Sequence, residues 1–308
     1  MQILRFLEGI RTPFGDIVFS LITQFGEEML FILLGLIFFW CVNKREGYYL
    51  FAVGFVGTVA NQFLKLIFRI PRPWVRDSEF TIVEAAREEA TGYSFPSGHT
   101  QSSVGVFGGI ARWNKQAWLR IICIALCVLV PISRMYLGVH TPLDVIVSVA
   151  IALILIFGIY PIMHKVCESN KAIRMVFALM TLFSLSYLLF VSLYNFPADI
   201  DASNLENGTK NAYKMLGCTL GIVFTFEIDT RFIKFETKAT LPAQILKLVI
   251  GLLPILAIKS GLKAPLAQVF GTFPADGIRY FLIVIFAGCI WPLTFKFFSK
   301  LFRKKVDN

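Results

Sequence analysis

Three short stretches of this chain carry charged side chains at spacings that suit the chemistry of phosphate groups. The first reads KLIFRIPRP, in which six residues separate Lys65 from Arg72 and Pro73. A guanidinium makes bidentate contacts with phosphate oxygens, and an ammonium adds a second positive charge. Cations at a helix C-terminus also interact favourably with the helix dipole, and their long side chains can reach towards water. This stretch alone therefore leaves a purely structural role open.

The second stretch, GYSFPSGHT, indicates the start of a helix with an anion site at its first turn. Pro96 followed by Ser97 is typical of a helix start in which the serine is the N-cap. Gly98 lets an anion approach the backbone closely, and the free N–H groups of the first turn attract it. Histidine is the side chain most often used for proton transfer, so His99 could transfer a proton there. The alternative is an ordinary capped helix with an incidental histidine.

The third stretch, SRMYLGVHTPLD, combines a cation, an imidazole and a carboxylate. Arg134 ends one predicted helix, His140 follows it, and Asp144 lies one helical turn after His140. A carboxylate at that distance could accept an imidazole N–H, which would fix the tautomer of the ring. The order Thr141, proline, acid is also a regular helix start, so Asp144 has a structural explanation as well.

The three stretches together indicate one site more strongly than any of them alone, because each lies at a helix end on the same predicted face of the molecule. They bring three cations, two helix N-termini, two histidines and one carboxylate to one place. Such a set suits a strongly anionic group, and two histidines can divide the work of nucleophile and general acid. The sequence therefore predicts cleavage of a phosphate ester at this site.

The elements that must hold these residues are apolar helices. Of the 308 residues, 56% are hydrophobic and 16% are charged, which indicates an all-α, polytopic helical membrane protein. The predicted spans cover residues 27–42, 48–68, 97–113, 118–137, 143–163, 173–194, 212–228, 242–258 and 278–298. Basic residues that flank spans explain the net charge of +10, so nucleic acid is not an expected partner. The six cysteines form no CxxC pair and are interpreted as small core residues.

The order of the spans predicts three segments. Residues 1–26 form an amphipathic segment at the membrane interface, 27–195 form a catalytic membrane core, and 196–308 form additional C-terminal transmembrane helices. The alternative for the first segment is a short extra span. Lys and Arg are more frequent in the loops opposite the three stretches. The positive-inside rule therefore places the site on the extracytoplasmic or lumenal face of a cell membrane.

Taken in order, K-x6-RP, PSGH and SR-x5-H-x3-D resemble the three-part signature of the type 2 phosphatidic acid phosphatase (PAP2) superfamily. The eleven specified residues are all present: Lys65, Arg72, Pro73, Pro96, Ser97, Gly98, His99, Ser133, Arg134, His140 and Asp144. The resemblance implies a six-helix PAP2-like core followed by about three C-terminal transmembrane helices. It also implies a membrane phosphatase for a lipid phosphate of the phosphatidic acid, phosphatidylglycerophosphate or undecaprenyl diphosphate type.

The same resemblance implies a role for each residue of the signature. His140 would be the nucleophile that forms a phosphohistidine, with Asp144 holding its other ring nitrogen. His99 would protonate the leaving group and then activate water. The phosphoryl oxygens would be held by Lys65, Arg72, Ser97, Gly98 and Arg134.

Neither a metal nor another cofactor is expected. Glu79, Glu84, Glu88 and Glu89 precede the second stretch without a matching ligand set and are interpreted as a solvated face, whereas Glu27 is assigned to the helix dipole. The expected partners are a lipid phosphate substrate and membrane lipids, and homo-oligomerisation is left open. The alternative functions are a phosphatase for a soluble sugar phosphate and a transporter, which would need polar groups near the middle of the membrane.

Overall fold

The computed structural model describes residues 1–165 and 170–302, and every regular element within those ranges is a helix. The predicted all-α fold is therefore confirmed. The α-helices are α1 (Gln2–Gly9), α2 (Pro13–Thr23), α3 (Glu28–Ile37), α4 (Lys44–Phe68), α5 (Pro73–Arg76), α6 (Gly98–Trp113), α7 (Ala117–Tyr136), α8 (Pro142–Lys165), α9 (Lys171–Leu193), α10 (Ala202–Ile228), α11 (Leu241–Gly261), α12 (Lys263–Phe270), α13 (Thr272–Ile285) and α14 (Phe295–Phe298). Five of the cysteines are free thiols with little or partial exposure, while Cys167 lies outside the described residues.

Several of these helices are long and apolar enough to cross a membrane. Six segments meet that condition: Lys44–Arg76, Ala117–Tyr136, Pro142–His164, Lys171–Leu193, Leu241–Gly261 and Thr272–Phe298. A seventh span results if Pro13–Gly26 and Glu28–Val42, which meet at an angle of 51°, are counted as one. By length and composition, the described residues therefore support six or seven spans, and the prediction of nine is too high.

Two of the predicted spans, 97–113 and 212–228, account for most of that difference. Helix α6 has 16 residues, fewer than the roughly 20 that cross a bilayer. Helix α10 is longer, but polar residues fill its first half and Glu227 lies near its end. Helix α6 forms where it was predicted, whereas α10 begins at Ala202, ten residues before the predicted start at 212. In both cases the status as a complete span changes. The predicted span 27–42 is one arm of the bent pair.

Two compact units make up the chain. The first unit comprises Met1–Leu34, Tyr49–Cys167 and Tyr194–Gly208 and holds all three stretches, whereas the second comprises Gly35–Tyr48, Glu168–Leu193 and Thr209–Asn308. Units defined by packing do not test which segments carry catalysis. The predicted division into residues 1–26, 27–195 and 196–308 therefore stays a prediction.

Helix α6 is a buried helix of the first unit. Ten of its sixteen residues are buried, and it packs against α7 and α8. Ser97 is its N-cap, because the Ser97 Oγ accepts a hydrogen bond from the Thr100 N–H at 3.4 Å. This cap leaves other N–H groups of the first turn without a partner in the helix, as in any α-helix. The partial positive charge of a helix start is thereby aimed at the predicted site.

The outer face of residues 1–26 is an apolar row that continues from α1 into α2. Exposed side chains spaced three or four residues apart form it: Ile3, Phe6, Ile10, Phe14, Ile17, Leu21 and Phe25. The polar side binds the loop after α5, since Arg5 pairs with Asp77 at 2.7 Å and Arg11 donates to the Thr81 carbonyl at 2.8 Å. Helices that lie on a bilayer surface have this distribution. The interfacial position itself stays a prediction.

Three π-helical turns interrupt the helices of the second unit: Phe38–Val42, Asp229–Ile233 and Phe286–Ile290. A π-turn breaks the regular backbone ladder, so its carbonyl groups need other donors. Two buried side chains supply them here. The Lys247 Nζ donates to the Trp40 carbonyl at 2.7 Å, and the Trp40 Nε1 donates to the Ala287 carbonyl at 2.8 Å. The buried lysine therefore has a structural role.

We expect Lys247→Met to lower the free energy of unfolding by about 1–3 kcal/mol, the cost of leaving a buried polar group unpaired. The carbonyls of Trp40 and Thr237, at 2.7 and 3.2 Å from Nζ, would both lose this donor. Thermal unfolding in detergent measures the effect. Lys263→Met is the matched control because Lys263 is exposed. An unfolding midpoint equal to that of the control would contradict the assignment.

Candidate active site

The first stretch supplies two cations, Lys65 and Arg72, that both bind the backbone at the beginning of the second stretch. The Lys65 Nζ donates to the Tyr93 carbonyl. Arg72 donates from Nε to the Gly92 carbonyl at 3.0 Å and from Nη2 to the Thr91 carbonyl at 2.7 Å. Both cations are buried. The first stretch is therefore not a solvated helix end, because its charged side chains are buried within the first unit.

His140 is held by contacts that define which ring nitrogen carries a hydrogen. The Arg72 Nη1 donates to the Val139 carbonyl at 3.0 Å and lies 2.8 Å from the His140 Nε2. Because a guanidinium only donates, Nε2 must be the acceptor, and the hydrogen of the neutral ring sits on Nδ1. The Nδ1 atom lies 3.4 Å from the Asp144 Oδ2. Nε2 therefore keeps a lone pair on the side of the cations.

Burial and the neighbouring charges favour the neutral form of the His140 ring. Its side chain is fully buried, and burial followed by the charges of Arg72 and Arg134 lowers the pKa of His140 well below its ordinary value. Burial disfavours the charged form of an imidazole, and nearby cations act in the same direction. A neutral imidazole with an unprotonated Nε2 can act as a nucleophile.

Asp144 joins the second and third stretches. Its Oδ2 accepts from the Ser94 hydroxyl at 2.6 Å and from the Thr141 N–H at 2.8 Å, and its carbonyl accepts from the Ser97 N–H at 3.2 Å. The structural use expected from the sequence is present, because Asp144 and Thr141 exchange hydrogen bonds at the start of α8. The Asp144 Oδ2 also lies 3.4 Å from the His140 Nδ1, which has no hydrogen-bond partner among the described residues. The side chain and backbone carbonyl of one residue therefore fix the relative position of two helix starts.

The space beside Gly98 is open. A Cβ built on Gly98 would have the Asn61 Oδ1, at 3.9 Å, as its nearest neighbour beyond its own helix. Asn61 is 2% exposed, and its side-chain atoms have no hydrogen-bond partner among the described residues. Unpaired buried polar atoms beside an open helix start indicate a place for a polar ligand or water. Asn61 lies one turn before Lys65 on α4, a spacing from which it could have been found.

His99 lies beside two carboxylates that the sequence did not connect with it. Its Nε2 is 3.0 Å from the Glu27 Oε1 and 3.6 Å from the Glu89 Oε2. The Glu89 Oε1 also accepts from the Gln24 amide at 2.9 Å. The neighbouring His99 ring is the main cause that lowers the pKa of Glu89 to about 2. Glu89 is therefore a carboxylate of the site.

The interpretation of Glu89 as part of a solvated face is wrong, and that of Glu27 as a helix-dipole residue is incomplete. Glu27 does precede α3, but its carboxylate is directed to His99. The physical reason is long-range packing. The turn between α2 and α3 folds back onto the start of α6, and no local periodicity in the sequence records that approach.

Arg134 is the cation of the third stretch, and within the described residues it does not use all of its N–H donors. It is fully buried, and its Nη1 donates to the Thr23 Oγ1 at 2.7 Å and lies 3.9 Å from the Glu89 Oε2. In the described part of the chain, its Nε and Nη2 have no hydrogen-bond partner. A buried guanidinium with unused N–H groups is costly unless an anion completes it. The site is therefore built for a negatively charged ligand.

Glu27, Glu89 and His99 also have the spacing of a metal ligand set. Their ligand atoms lie within 4.8 Å of one another, a combination that the sequence did not reveal. The Arg134 Nη1 lies 3.9 Å from the Glu89 Oε2 and adds a positive charge at the same place. Like charges repel at such distances, so the arginine opposes a bound cation there.

Two family models match this chain. The model described as "PAP2 superfamily" matches residues 45–167, and the model described as "PAP2 superfamily phosphatase, transmembrane extension" matches residues 213–304. The first range contains the residues of all three stretches. The second covers most of the predicted C-terminal helices, whose presence after a PAP2-like core is thereby supported.

Curated relatives match over shorter or longer parts of the chain. "Probable sphingosine-1-phosphate phosphatase" of Dictyostelium discoideum is 30% identical over 160 residues, which are 48% of this chain and 38% of the relative. "Undecaprenyl-diphosphatase BcrC" of Bacillus subtilis is 26% identical over 144 residues, 46% of this chain and 72% of the relative. "Sphingosine-1-phosphate phosphatase 1" of Mus musculus is 23% identical over 285 residues, 85% of this chain and 64% of the relative. The chain thus spans less than two thirds of the first and third relatives, and no solved structure matches it.

Proposed function

The chain belongs to the PAP2 superfamily, and on that premise we propose that it is a membrane-embedded phosphatase that hydrolyses a phosphate ester or diphosphate of a membrane lipid. The observation that carries the proposal is the buried Arg134 with its unused Nε and Nη2 donors. Two further buried cations, Lys65 and Arg72, belong to the same site. A phosphoryl group is the anion that such a set of donors fits.

The first step would transfer the phosphoryl group to the protein. The hydrogen bond from Arg72 to the His140 Nε2 is broken, and the freed Nε2 lone pair attacks phosphorus while the bond from phosphorus to the lipid oxygen breaks. His99 gives its proton to the departing oxygen, so the lipid leaves as an alcohol, or as a lipid monophosphate if the substrate is a diphosphate. Asp144 stabilises the positive charge that develops on His140 through Nδ1–H, and the buried cations offset the charge on the phosphoryl oxygens.

The second step would return the protein to its starting state. His99, now neutral, removes a proton from a water molecule whose oxygen attacks phosphorus. The bond from phosphorus to the His140 Nε2 breaks, and inorganic phosphate leaves. Each step needs alignment and charge compensation more than covalent chemistry from the protein, which is the general pattern of phosphoryl transfer.

A lipid substrate is favoured over a soluble one by the surroundings of the site. The site lies at helix ends, next to an N-terminal segment with a continuous apolar outer face. Relatives are named for the hydrolysis of sphingosine 1-phosphate and undecaprenyl diphosphate, and both compounds are lipids. We propose that the head group enters from the extracytoplasmic or lumenal face while the tail stays in the bilayer.

The experiment that tests the proposal is phosphate release by the purified full-length protein in detergent. The substrates are phosphatidic acid, phosphatidylglycerophosphate, sphingosine 1-phosphate, undecaprenyl diphosphate and glucose 6-phosphate. We expect hydrolysis of at least one lipid at a rate well above that of the sugar phosphate. Preference for glucose 6-phosphate would favour the sugar phosphatase alternative, and no release from any substrate would contradict phosphatase activity.

Hydrolysis is expected to continue in the presence of EDTA. The charge compensation that a metal ion supplies elsewhere would come here from Lys65, Arg72 and Arg134. Phosphate release is measured after dialysis against EDTA and again after addition of Mg²⁺ or Zn²⁺. A rate within about twofold of the untreated enzyme is expected. Loss of activity that a metal restores would contradict this expectation and make Glu27, Glu89 and His99 the first residues to test as its ligands.

A further inference from the structure

We propose that the turn of residues 23–27, which lies outside all three stretches, completes the catalytic site and that Glu27 is a positioning residue for His99. The inference rests on the proposed function, because it concerns how His99 delivers a proton to the leaving group. It is independent of which lipid is the substrate.

The first observation is the contact between the two side chains. The Glu27 Oε1 lies 3.0 Å from the His99 Nε2, the shortest of the ion-pair contacts to this ring in the described residues. A carboxylate only accepts hydrogen bonds, so Nε2 must carry a hydrogen. The two side chains are 32% and 15% exposed, so the contact is shielded while the site stays accessible. Glu27 thus holds one edge of the ring.

The second observation is that the whole turn packs against the site. A Cβ built on Gly26 would lie 2.8 Å from the His99 Cβ and 3.0 Å from the Val130 Cγ1, so glycine lets the turn touch the histidine directly. The Thr23 Oγ1 accepts from the Arg134 Nη1 at 2.7 Å. The same short segment therefore contacts both the proposed acid and a proposed phosphate ligand.

The third observation is a pair of contacts through which Glu89 connects the turn to His99. Gln24 donates to the Glu89 Oε1 at 2.9 Å, and the Glu89 Oε2 lies 3.6 Å from the His99 Nε2. Glu89 is thereby fixed by the turn on one side and faces His99 on the other. The ring has carboxylates from two separate segments, and the turn places both of them.

A proton donor must keep its N–H directed at the leaving oxygen, and an imidazole rotates about two side-chain bonds. A carboxylate on one ring nitrogen removes that freedom, as carboxylates do for histidines in other catalytic and metal sites. Asp144 approaches His140 in this protein too, at 3.4 Å from its other ring nitrogen, Nδ1. The geometry therefore points to two carboxylate–imidazole pairs, one for the nucleophile and one for the acid.

Leaving-group dependence separates this role from a merely structural one. The test compares dodecyl phosphate with the analogue that has sulfur in the bridging position. A thiolate leaves without a proton, because alkyl thiols are far more acidic than alcohols, so the analogue bypasses the acid. For Glu27→Gln we expect kcat/KM on dodecyl phosphate to fall about tenfold to a hundredfold, because kcat/KM reports the first step, in which the leaving group departs. On the sulfur analogue, kcat/KM should stay within about threefold of the wild type, because the action of His99 as a base in the second step does not enter this quantity.

The matched control is Glu28→Gln, because Glu28 is the next residue and is exposed. It should leave both rates unchanged. Glu27→Asp, which retains the charge on a shorter side chain, provides a second variant, and its loss should also be larger on the oxygen substrate. In a His99→Asn background, Glu27→Gln should cost little more, because both changes affect the same step.

Three results would overturn the inference. They are wild-type activity of Glu27→Gln, an equal loss of its kcat/KM on the oxygen and sulfur substrates, and a loss of kcat/KM in Glu28→Gln as large as the loss in Glu27→Gln. If Glu27→Gln does not fold, the ratio of the two rates in Glu27→Asp decides the matter. Failure of the proposed function is a separate outcome, because the wild-type protein would then hydrolyse neither substrate.

Discussion

The variant His140→Ala is expected to lose at least about 10⁴-fold in kcat while the protein stays folded in detergent, a loss of the size seen when a nucleophile or its partner is removed. The reason is the state of the ring. Nε2 faces the cations with a lone pair, and Nδ1 faces the Asp144 carboxylate at 3.4 Å. No other imidazole in the described residues has this pair of contacts.

The control for this prediction is His164→Ala. His164 lies near the end of α8, is exposed and packs on the rings of Trp113 and Tyr160. It should keep wild-type turnover. A second readout is the covalent intermediate, because lipid labelled in its phosphate should leave acid-labile label on the wild type and none on His140→Ala. Retained hydrolysis, or equal labelling of the variant, would remove His140 as the nucleophile.

The pH dependence of the wild type follows from the same site. Burial and the neighbouring cations lower the pKa of His140, so the ring stays neutral below the pH at which an ordinary histidine becomes protonated. An activity that needs neutral His140 is therefore kept as the pH falls through about 6.5 and is lost only at lower pH. The acidic limb of kcat/KM against pH measures this. A limb centred at or above the ordinary value would contradict it.

The second large effect is expected for Arg134→Met, which should lower kcat/KM about 10³-fold. The side chain is fully buried, and its Nε and Nη2 donors have no partner in the described part of the protein. The expected loss is therefore the loss of contacts to the phosphoryl oxygens as charge builds up on them. Arg134→Lys should recover little, because an ammonium lacks the planar fork of donors.

Arg87→Met provides the matched control for Arg134. Arg87 is exposed and pairs with Glu84 at 2.6 Å on the surface of the loop before the second stretch. It should change kcat/KM by less than about twofold. Thermal unfolding must accompany both variants, because removing a buried charge also changes packing. Equal kinetics for the Arg134 and Arg87 variants would contradict a phosphate-binding role of Arg134.

The parts of the site that lie close together in the sequence could be predicted from it. Ser97 as the cap of α6, and Thr141 with the acid Asp144 at the start of α8, follow from local helix-start chemistry, and the structure has both. The contact between His140 and Asp144 follows from a spacing of one turn. The helical class follows from composition alone. These features depend on forces that act over a few residues.

The parts that depend on long-range packing could not be predicted in the same way. Glu27 and His99 are 72 residues apart, and no pattern relates a turn after α2 to the start of α6. Glu89 comes from a loop without regular periodicity, where a charged residue is normally solvated. Similarly, α6 is a helix of 16 residues, and its apolar composition does not distinguish a short buried helix from a membrane span.

Arg72 in the free protein has a consequence for how tightly phosphate is held. Four hydrogen bonds to Gly92, Thr91, Val139 and His140 use four of its five N–H groups. Apart from the one unused N–H group, each contact between an entering phosphoryl group and Arg72 requires that one of these hydrogen bonds be broken. The net gain in free energy is then the difference between two similar hydrogen bonds. On departure of inorganic phosphate, the protein would recover its own contacts. In the proposed reaction the resting structure would therefore assist product release, and we expect weak product inhibition for a site with three buried cations.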